Sequence, residues 1–417
     1  MTSRERVQAA LEFRCPDRTP RDFGSTAITG LSASFIFKLR RALGLPEKPI
    51  SIYDPYQMLG EVDDDLRRIL RIDTTCIWPG GNLFGFDNTP AKPFTMNDGT
   101  PVLVADAFNT DYEPDGRLFQ YACGDKNYPP SGVMPKDGFY FDATVRSKPV
   151  EDDDDLNIDD NLEEFTLFDD ETLRRIENET RELYENTDYA LVGGGLGGSG
   201  LGDIAFVPGT MLREPKGVRD LADWYMSPLI RTDFVREIYD RQTDIALENF
   251  KLYHEAVGNR VSVIVICGAD FGSQQSLMLS PVVFRDLYLQ YYRKMTDWIH
   301  ENTTWKTFKH CCGAVEPLIP LLIEAGFDIL NPVQISATGM DPETLKQKYG
   351  DKITFWGGGV NTQATLPTGT PDEVKEEVKK LVRIFGKDGG FVFNAIHNVQ
   401  ANVPVENFLA MIEALND

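Results

Sequence analysis

Histidine is scarce in this chain, with four in 417 residues, and basic side chains are outnumbered, 42 lysines and arginines against 65 aspartates and glutamates. The formal net charge of −23 repels phosphate backbones unless basic residues gather in one patch. No such patch occurs, so nucleic acid is not an expected partner. Nor does any apolar run approach the roughly 20 residues that cross a bilayer; the longest strongly apolar stretch is Val261 to Cys267. The chain opens on Arg4, Glu5 and Arg6 and not on an apolar signal core, so a cytoplasmic protein without membrane association is expected. Six cysteines, at 15, 76, 123, 267, 311 and 312, lack the spacing of a disulfide scaffold, which leaves metal binding or packing as their roles. The absence of Gly-x-Ser-x-Gly, His-Glu-x-x-His and Cys-x-x-Cys removes support for hydrolase, zincin and dithiol chemistry. Gly195-x-Gly197-x-x-Gly200 fits a dinucleotide fingerprint only formally, because glycine fills seven of positions 193 to 202 and no clear helix follows.

What is present points to an α/β barrel. A chain of this length can bury a large core, and one barrel with an added segment suits it better than several small domains. Thr2-Ser3-Arg4-Glu5 is a capping box, and Val7, Ala10 and Leu11 continue it at helical spacing. Residues 75 to 150 are rich in proline, glycine and aromatics, with short alternating runs such as Thr100 to Ala105, and predict irregular β structure. Glu151 to Glu164 holds nine acids in 14 residues and reads as a solvated, self-repelling linker or surface loop. Beyond it, apolar runs alternate with helical stretches, beginning with the stripe Leu173, Ile176, Leu183 and Tyr184. The runs fall at Tyr189–Val192, Val261–Cys267, Thr307–Lys309, Asp328–Leu330, Ile353–Trp356 and Gly390–Asn394. The expected fold is a (β/α)8 TIM barrel over residues 166–417, carrying an N-terminal extension of helices and irregular β structure over 1–165. Six strands are located in this way; two are not.

The chemistry gathers at strand ends. Lys309-His310-Cys311-Cys312-Gly313 follows one apolar run. In extended chain His310 and Cys312 share a face while Cys311 points to the core, and an imidazole with a thiolate suits zinc. Asn394-Ala395-Ile396-His397 places a second histidine after another run, whereas His254 and His300 lie in helical, charged surroundings. Asp270 and Gln334 follow two further runs. The carboxyl ends of strands form the rim on which such barrels keep their active sites.

With these residues in view, the chain resembles the uroporphyrinogen decarboxylase superfamily across roughly 170 to 417. The resemblance runs through His310-Cys311-Cys312-Gly313, Glu324-Ala325-Gly326-Phe327-Asp328-Ile329-Leu330-Asn331-Pro332-Val333-Gln334, Gly339-Met340-Asp341, Phe355-Trp356-Gly357-Gly358, Thr368-Gly369-Thr370-Pro371, His397 and Pro404-Val405-Glu406-Asn407. That superfamily holds metal-free decarboxylases and zinc methyltransferases that exchange methyl groups with corrinoid proteins. The decarboxylases share an N-terminal Arg-Gln-Ala-Gly-Arg-Tyr motif, where this chain has Pro20-Arg21-Asp22-Phe23-Gly24-Ser25-Thr26. The methyltransferases acting on coenzyme M carry a His-x-Cys pair and a later cysteine as zinc ligands. His310 and Cys312 match the pair, and counting back nine residues from Glu406 puts His397 in place of that cysteine.

The resemblance therefore implies zinc held by His310, Cys312 and His397. It gives catalytic roles to Asp270 and Gln334 and substrate contacts to Gln274, Asn331 and Trp356. It implies a partner protein carrying the corrinoid (cobalamin), since the chain has no Asp-x-His-x-x-Gly motif. Two imidazoles and one thiolate leave zinc net positive, which favours polarising an ether oxygen. The expected reaction is removal of methyl from a small methoxylated compound, an aryl methyl ether, to Co(I), in a monomer or homodimer. The alternatives are transfer from corrinoid to a thiol or pterin, uroporphyrinogen decarboxylation, and a non-catalytic binding protein on the same barrel.

Overall fold

The computed structural model describes residues 1–416. Its central sheet has seven parallel strands, each hydrogen-bonded to the next in chain order. They are β1 (Thr74–Ile77), β2 (Ala190–Gly193), β3 (Val263–Cys267), β4 (Lys306–His310), β5 (Ile329–Asn331), β6 (Thr354–Trp356) and β7 (Phe391–Val392). Helix α1 (Ser3–Leu11) precedes the sheet, and helices α2 (Asp170–Asn186), α3 (Thr232–Val257), α4 (Leu289–Asn302), α5 (Ile319–Glu324), α6 (Pro342–Tyr349) and α7 (Pro371–Phe385) lead into β2 to β7 in turn. Helix α8 (Val405–Ala414) follows β7. Strands covered by helices tend to read as apolar runs, as β2 and β3 do, whereas β4, Lys306–His310, carries two lysines, a threonine and a histidine and shows only its central Phe308.

The interior of the curled sheet is apolar. Ala190, Val192, Val263, Phe308, Ile329, Trp356 and Val392 form one buried cluster, and Val7, Ala10 and Leu11 of α1 pack into it. Helix α1 starts where the sequence places it, with the Thr2 side chain on the Glu5 amide and the Glu5 side chain on the Thr2 amide. The two edges of the sheet meet over Pro20–Asp22. The Asp22 N–H donates to the Phe393 carbonyl (2.9 Å), the Phe393 N–H to the Pro20 carbonyl (2.8 Å) and the Asp73 N–H to the Arg21 carbonyl (2.8 Å). An eighth regular strand is replaced by this single bridge between Arg21 and Phe393.

β1 and the bridge are the pieces that the sequence leaves unlocated, and both precede residue 165. The division at 165 is thus not a border of the sheet. β1 reads Thr-Thr-Cys-Ile, too short and polar to show as an apolar run, and Pro20 lacks the N–H of a ladder residue. The rest of the N-terminal region adds two four-stranded sheets. One orders Leu59–Gly60, Ile50–Asp54, Pro101–Ala105 and Ala91–Thr95; the other is an antiparallel meander of Thr110–Tyr112, Leu118–Tyr121, Pro130–Met134 and Asp142–Ala143.

The acidic segment is a surface strap, as its reading as a linker or surface loop allows, but it is clamped by arginines and not self-repelling. Asp153 pairs with Arg231 (2.7 Å) and Asp159 with Arg241 (2.5 Å), while Glu164 takes both terminal nitrogens of the fully buried Arg219 (2.8 and 3.0 Å). These cations stand 55 or more residues further on, so no local charge pattern announces them. No described helix is long and apolar enough to cross a membrane.

Candidate metal centre

Alternation along β4 decides which side chains meet. Phe308 points into the sheet's interior cluster, so His310 at the strand's last position points the same way, and the intervening Lys309 points out, its amine on the Ala269 carbonyl (2.7 Å) and over the Phe271 ring. Cys312 follows two residues on, and His397 arrives from the loop after β7. One ligand atom from each of His310, Cys312 and His397 lies within 4.8 Å of the others. The His310 Nε2 and Cys312 Sγ are 3.3 Å apart, and the two imidazole centroids 5.3 Å. His310 is buried, whereas Cys312 and His397 remain partly exposed, so the triangle opens outward. Cys311 turns the other way and its sulfur accepts the Phe271 N–H, as core placement requires.

The donor set fits a metal cation. The Asn331 amide nitrogen donates to the Trp356 carbonyl (2.8 Å), which turns the Asn331 oxygen towards His310 Nδ1, 2.5 Å away. Only a protonated Nδ1 can donate there, so the neutral ring keeps its lone pair on Nε2, facing Cys312. Burial and the negative charge of Asp270 push the Cys312 thiol well above its ordinary value. A neighbouring cation would offset both causes and favour the thiolate. Burial, together with the neighbouring His310, lowers His397 to about 4 and holds its ring neutral. His397 also adopts φ 68°, a left-handed conformation unusual outside glycine, and Nδ1 accepts the Asn398 N–H (2.8 Å). Such strain, of order 1–3 kcal/mol, persists where surrounding contacts impose it. Here Asn398 is pinned by Gly30, Ala27 and Gln57.

Other expected residues fall around this triangle in different ways. Asp270 lies 3.8 Å from His310 Nε2 and accepts the Cys312 N–H at 2.7 Å. Gln334 accepts the Gly313 N–H (2.7 Å) and so holds the turn after Cys312. Asn331 and Trp356, expected against substrate, are fully enclosed, and their polar atoms serve His310 and Asp22 instead. Gln274 is exposed on the loop after β3, with its carbonyl on Thr338, and does not join the cluster.

Three neighbours escape sequence reasoning. Asp203, from the loop after β2, accepts the N–H groups of Gly268 (3.2 Å) and Ala205 (3.0 Å), and burial raises its carboxyl although Lys309 opposes the shift. Tyr225 donates to the Asp270 carbonyl (3.3 Å). Asp22 accepts the indole N–H of Trp356 (2.9 Å). Asp203 follows a glycine-rich stretch without periodicity, Tyr225 sits mid-helix, and Asp22 belongs to a segment with no strand pattern, so none carries a local signal.

Comparisons with known proteins bear on the family and the fold. Residues 210–417 match the family described as uroporphyrinogen decarboxylase (URO-D), a stretch that contains β3 to β7 and all three candidate ligands. Uroporphyrinogen decarboxylase of Pseudoalteromonas atlantica is 27% identical over 173 residues, covering 37% of this chain and 45% of its own length. The enzyme of Pseudoalteromonas translucida is 26% identical over 241 residues, covering 52% of this chain and 64% of its own. The chain thus spans less than two thirds of these relatives. A solved methyltransferase from Methanosarcina mazei shares the fold along the whole chain, with a TM-score of 0.55, 16% identity and coverage of 100% of this chain and 98% of that one.

Proposed function

We propose that this protein is a zinc-dependent methyltransferase that demethylates a methoxylated substrate, an aryl methyl ether, and passes the methyl group to Co(I) of a partner corrinoid protein. The observation that carries this reading is the convergence of His310, Cys312 and His397 on one point at the open rim. Bound by these residues, zinc supplies a Lewis acid that stabilises charge on an oxygen. With one thiolate and two neutral imidazoles as ligands, the site stays net positive and suits an ether oxygen better than a thiolate-rich site would. Asp270 accepts the Cys312 N–H and borders the triangle, and its assigned role is to orient the substrate or deliver a proton to the leaving oxygen. Gln334 keeps the ligand turn in register through Gly313. In the reaction the O–CH3 bond breaks, the methyl group forms its new bond to cobalt with the Co(I) electron pair, and the oxygen keeps its own pair and takes up a proton.

The test is direct. Zinc-loaded protein, methoxylated aromatic compounds and cob(I)alamin are mixed, and the Co(I) absorbance is followed. The reading expects loss of Co(I) with formation of methyl-Co(III) and free phenol; no loss with any methoxylated compound tried refutes it.

A second reading, uroporphyrinogen decarboxylation, is favoured by the family of the matched segment. It predicts tetrapyrrole turnover without metal. Against it stands the use of Arg21, whose guanidinium is fully buried on the Leu70 carbonyl, the Leu415 carbonyl and Asn416, away from the rim where a carboxylate-gripping arginine belongs.

A further inference from the structure

We infer that the N-terminal segment is a working part of the metal centre: the Trp356 backbone carbonyl turns Asn331 so that its oxygen holds His310 in the tautomer that presents Nε2 as donor atom, and Asp22 anchors Trp356 by its indole. The inference takes its functional meaning from the zinc reading above, although the tautomer is a property of the metal-free protein. Four residues form one chain of contacts through the interior, which passes at Trp356 from the indole to the backbone carbonyl. Asp22, Trp356 and Asn331 are fully buried and His310 is 3% exposed. Asp22 accepts the Trp356 indole N–H on one oxygen (2.9 Å) and the Ser25 N–H (3.1 Å) and Thr74 hydroxyl (2.8 Å) on the other. Trp356 in turn offers its carbonyl to the Asn331 amide nitrogen (2.8 Å), and the Asn331 oxygen faces His310 Nδ1 at 2.5 Å.

The direction of this chain is set by chemistry. A backbone carbonyl can only accept, and Asn331 meets Trp356 at its backbone carbonyl. Asn331 must therefore turn its nitrogen to Trp356 and its oxygen to His310, because the reverse sets two acceptors face to face at the carbonyl and leaves buried groups unpaired, at about 1–3 kcal/mol each. With Nδ1 committed as a donor, Nε2 is the lone-pair atom, and Nε2 is the nitrogen beside Cys312. Donation of the second ring N–H to a fixed oxygen is how proteins orient an imidazole ligand and raise its basicity. Asp22 is thus a positioning residue. It lies outside the matched residues 210–417, in the Pro20–Asp22 bridge that joins β7 to the start of β1, so closing the sheet and aiming the ligand are the work of one short segment.

The experiment uses the full chain. Long-range proton–nitrogen spectra of metal-free protein report the tautomer of each imidazole, and with four histidines the spectrum is assignable by single substitution. Zinc affinity is measured separately by competition with a chromophoric chelator. Wild type is expected to carry the His310 proton on Nδ1; a proton on Nε2 overturns the inference. Asn331→Leu is expected to lose that fixed tautomer and to weaken zinc binding about 10- to 100-fold, and an unchanged tautomer and affinity overturn it. Should Asn331→Leu fail to fold by circular dichroism, the wild-type tautomer carries the test alone: the His310 proton on Nδ1 supports the inference and a proton on Nε2 overturns it. Asp22→Asn leaves one acceptor oxygen where two now serve the Trp356 N–H, the Ser25 N–H and the Thr74 hydroxyl, and is expected to weaken zinc several-fold and shift the His310 signals; wild-type values refute the N-terminal anchor. A wild type that shows His310 Nδ1–H but binds no zinc removes the zinc reading and leaves this arrangement standing.

Discussion

Replacing Gly313 by alanine tests whether the loop after β4 is held as closely as the metal centre demands. Gly313 has φ +92°, and a Cβ there would lie 2.3 Å from the backbone carbon and oxygen of Gly272 and 2.6 Å from the Ser273 carbonyl oxygen. All three are backbone atoms, so no side-chain rotation relieves the clash. A left-handed backbone conformation costs an alanine about 1–2 kcal/mol, and overpacking adds about 1–3 kcal/mol. The substitution is therefore expected to destabilise by about 2–5 kcal/mol, or to escape part of that by moving the loop. Either response displaces Cys312, because the Gly313 N–H is anchored on Gln334 and the Cys312 N–H on Asp270. Gly313→Ala is assayed by thermal unfolding and by zinc titration of the folded fraction. The account expects both a lower midpoint and weaker zinc binding. Wild-type values in both would show that the two rim loops do not meet in this way.

Further outcomes follow from the same contacts. Glu164→Gln removes the carboxylate from the fully buried Arg219 and is expected to cost about 3–5 kcal/mol in a urea titration, whereas a loss within error would mean that the acidic strap is a passive loop. In metal-free protein, burial depresses His397 from the ordinary 6.5 to about 4. Above 6.5 the ring is neutral folded or unfolded; as pH falls from 6.5 towards 4 only the unfolded chain takes up the proton, so stability declines across that window. His397→Gln should flatten the decline, and an equally steep one in the variant refutes the assignment. His397→Ala is expected to weaken zinc strongly, while His397→Cys keeps the metal, adds negative charge and slows methyl transfer to cob(I)alamin; full occupancy and full rate in His397→Ala would make His397 a rim residue only.

Legibility differed across the molecule for physical reasons. Strands such as β2 and β3 betray themselves as apolar runs because helices cover them, β4 shows only its buried Phe308 between polar residues, and α1 is announced by its capping box. β1 and the Pro20–Asp22 bridge carry no such pattern, since their places in the sheet are set by neighbours that pair with them from distant parts of the chain. At the site, the i, i+2 spacing of His310 and Cys312 was readable because strand alternation is local. The approach of His397 rested on resemblance, and the geometry now sets its ring beside the other two. Asn331 and Trp356 were visible as polar or aromatic groups at strand ends, but which way they face depends on hydrogen bonds to His310 and Asp22 that no spacing encodes. Asp203 and the arginines of the acidic strap were hidden for the same reason: their partners are remote in sequence.

The zinc ion itself is the most direct measurement. X-ray absorption at the zinc edge of purified, zinc-loaded protein is expected to show about one ion per chain with two nitrogens near 2.0–2.1 Å and one sulfur near 2.3 Å, the sulfur vanishing in Cys312→Ala and the nitrogen count falling in His310→Ala. A protein that takes up no zinc, or a zinc shell with no sulfur in the wild type, would contradict the account.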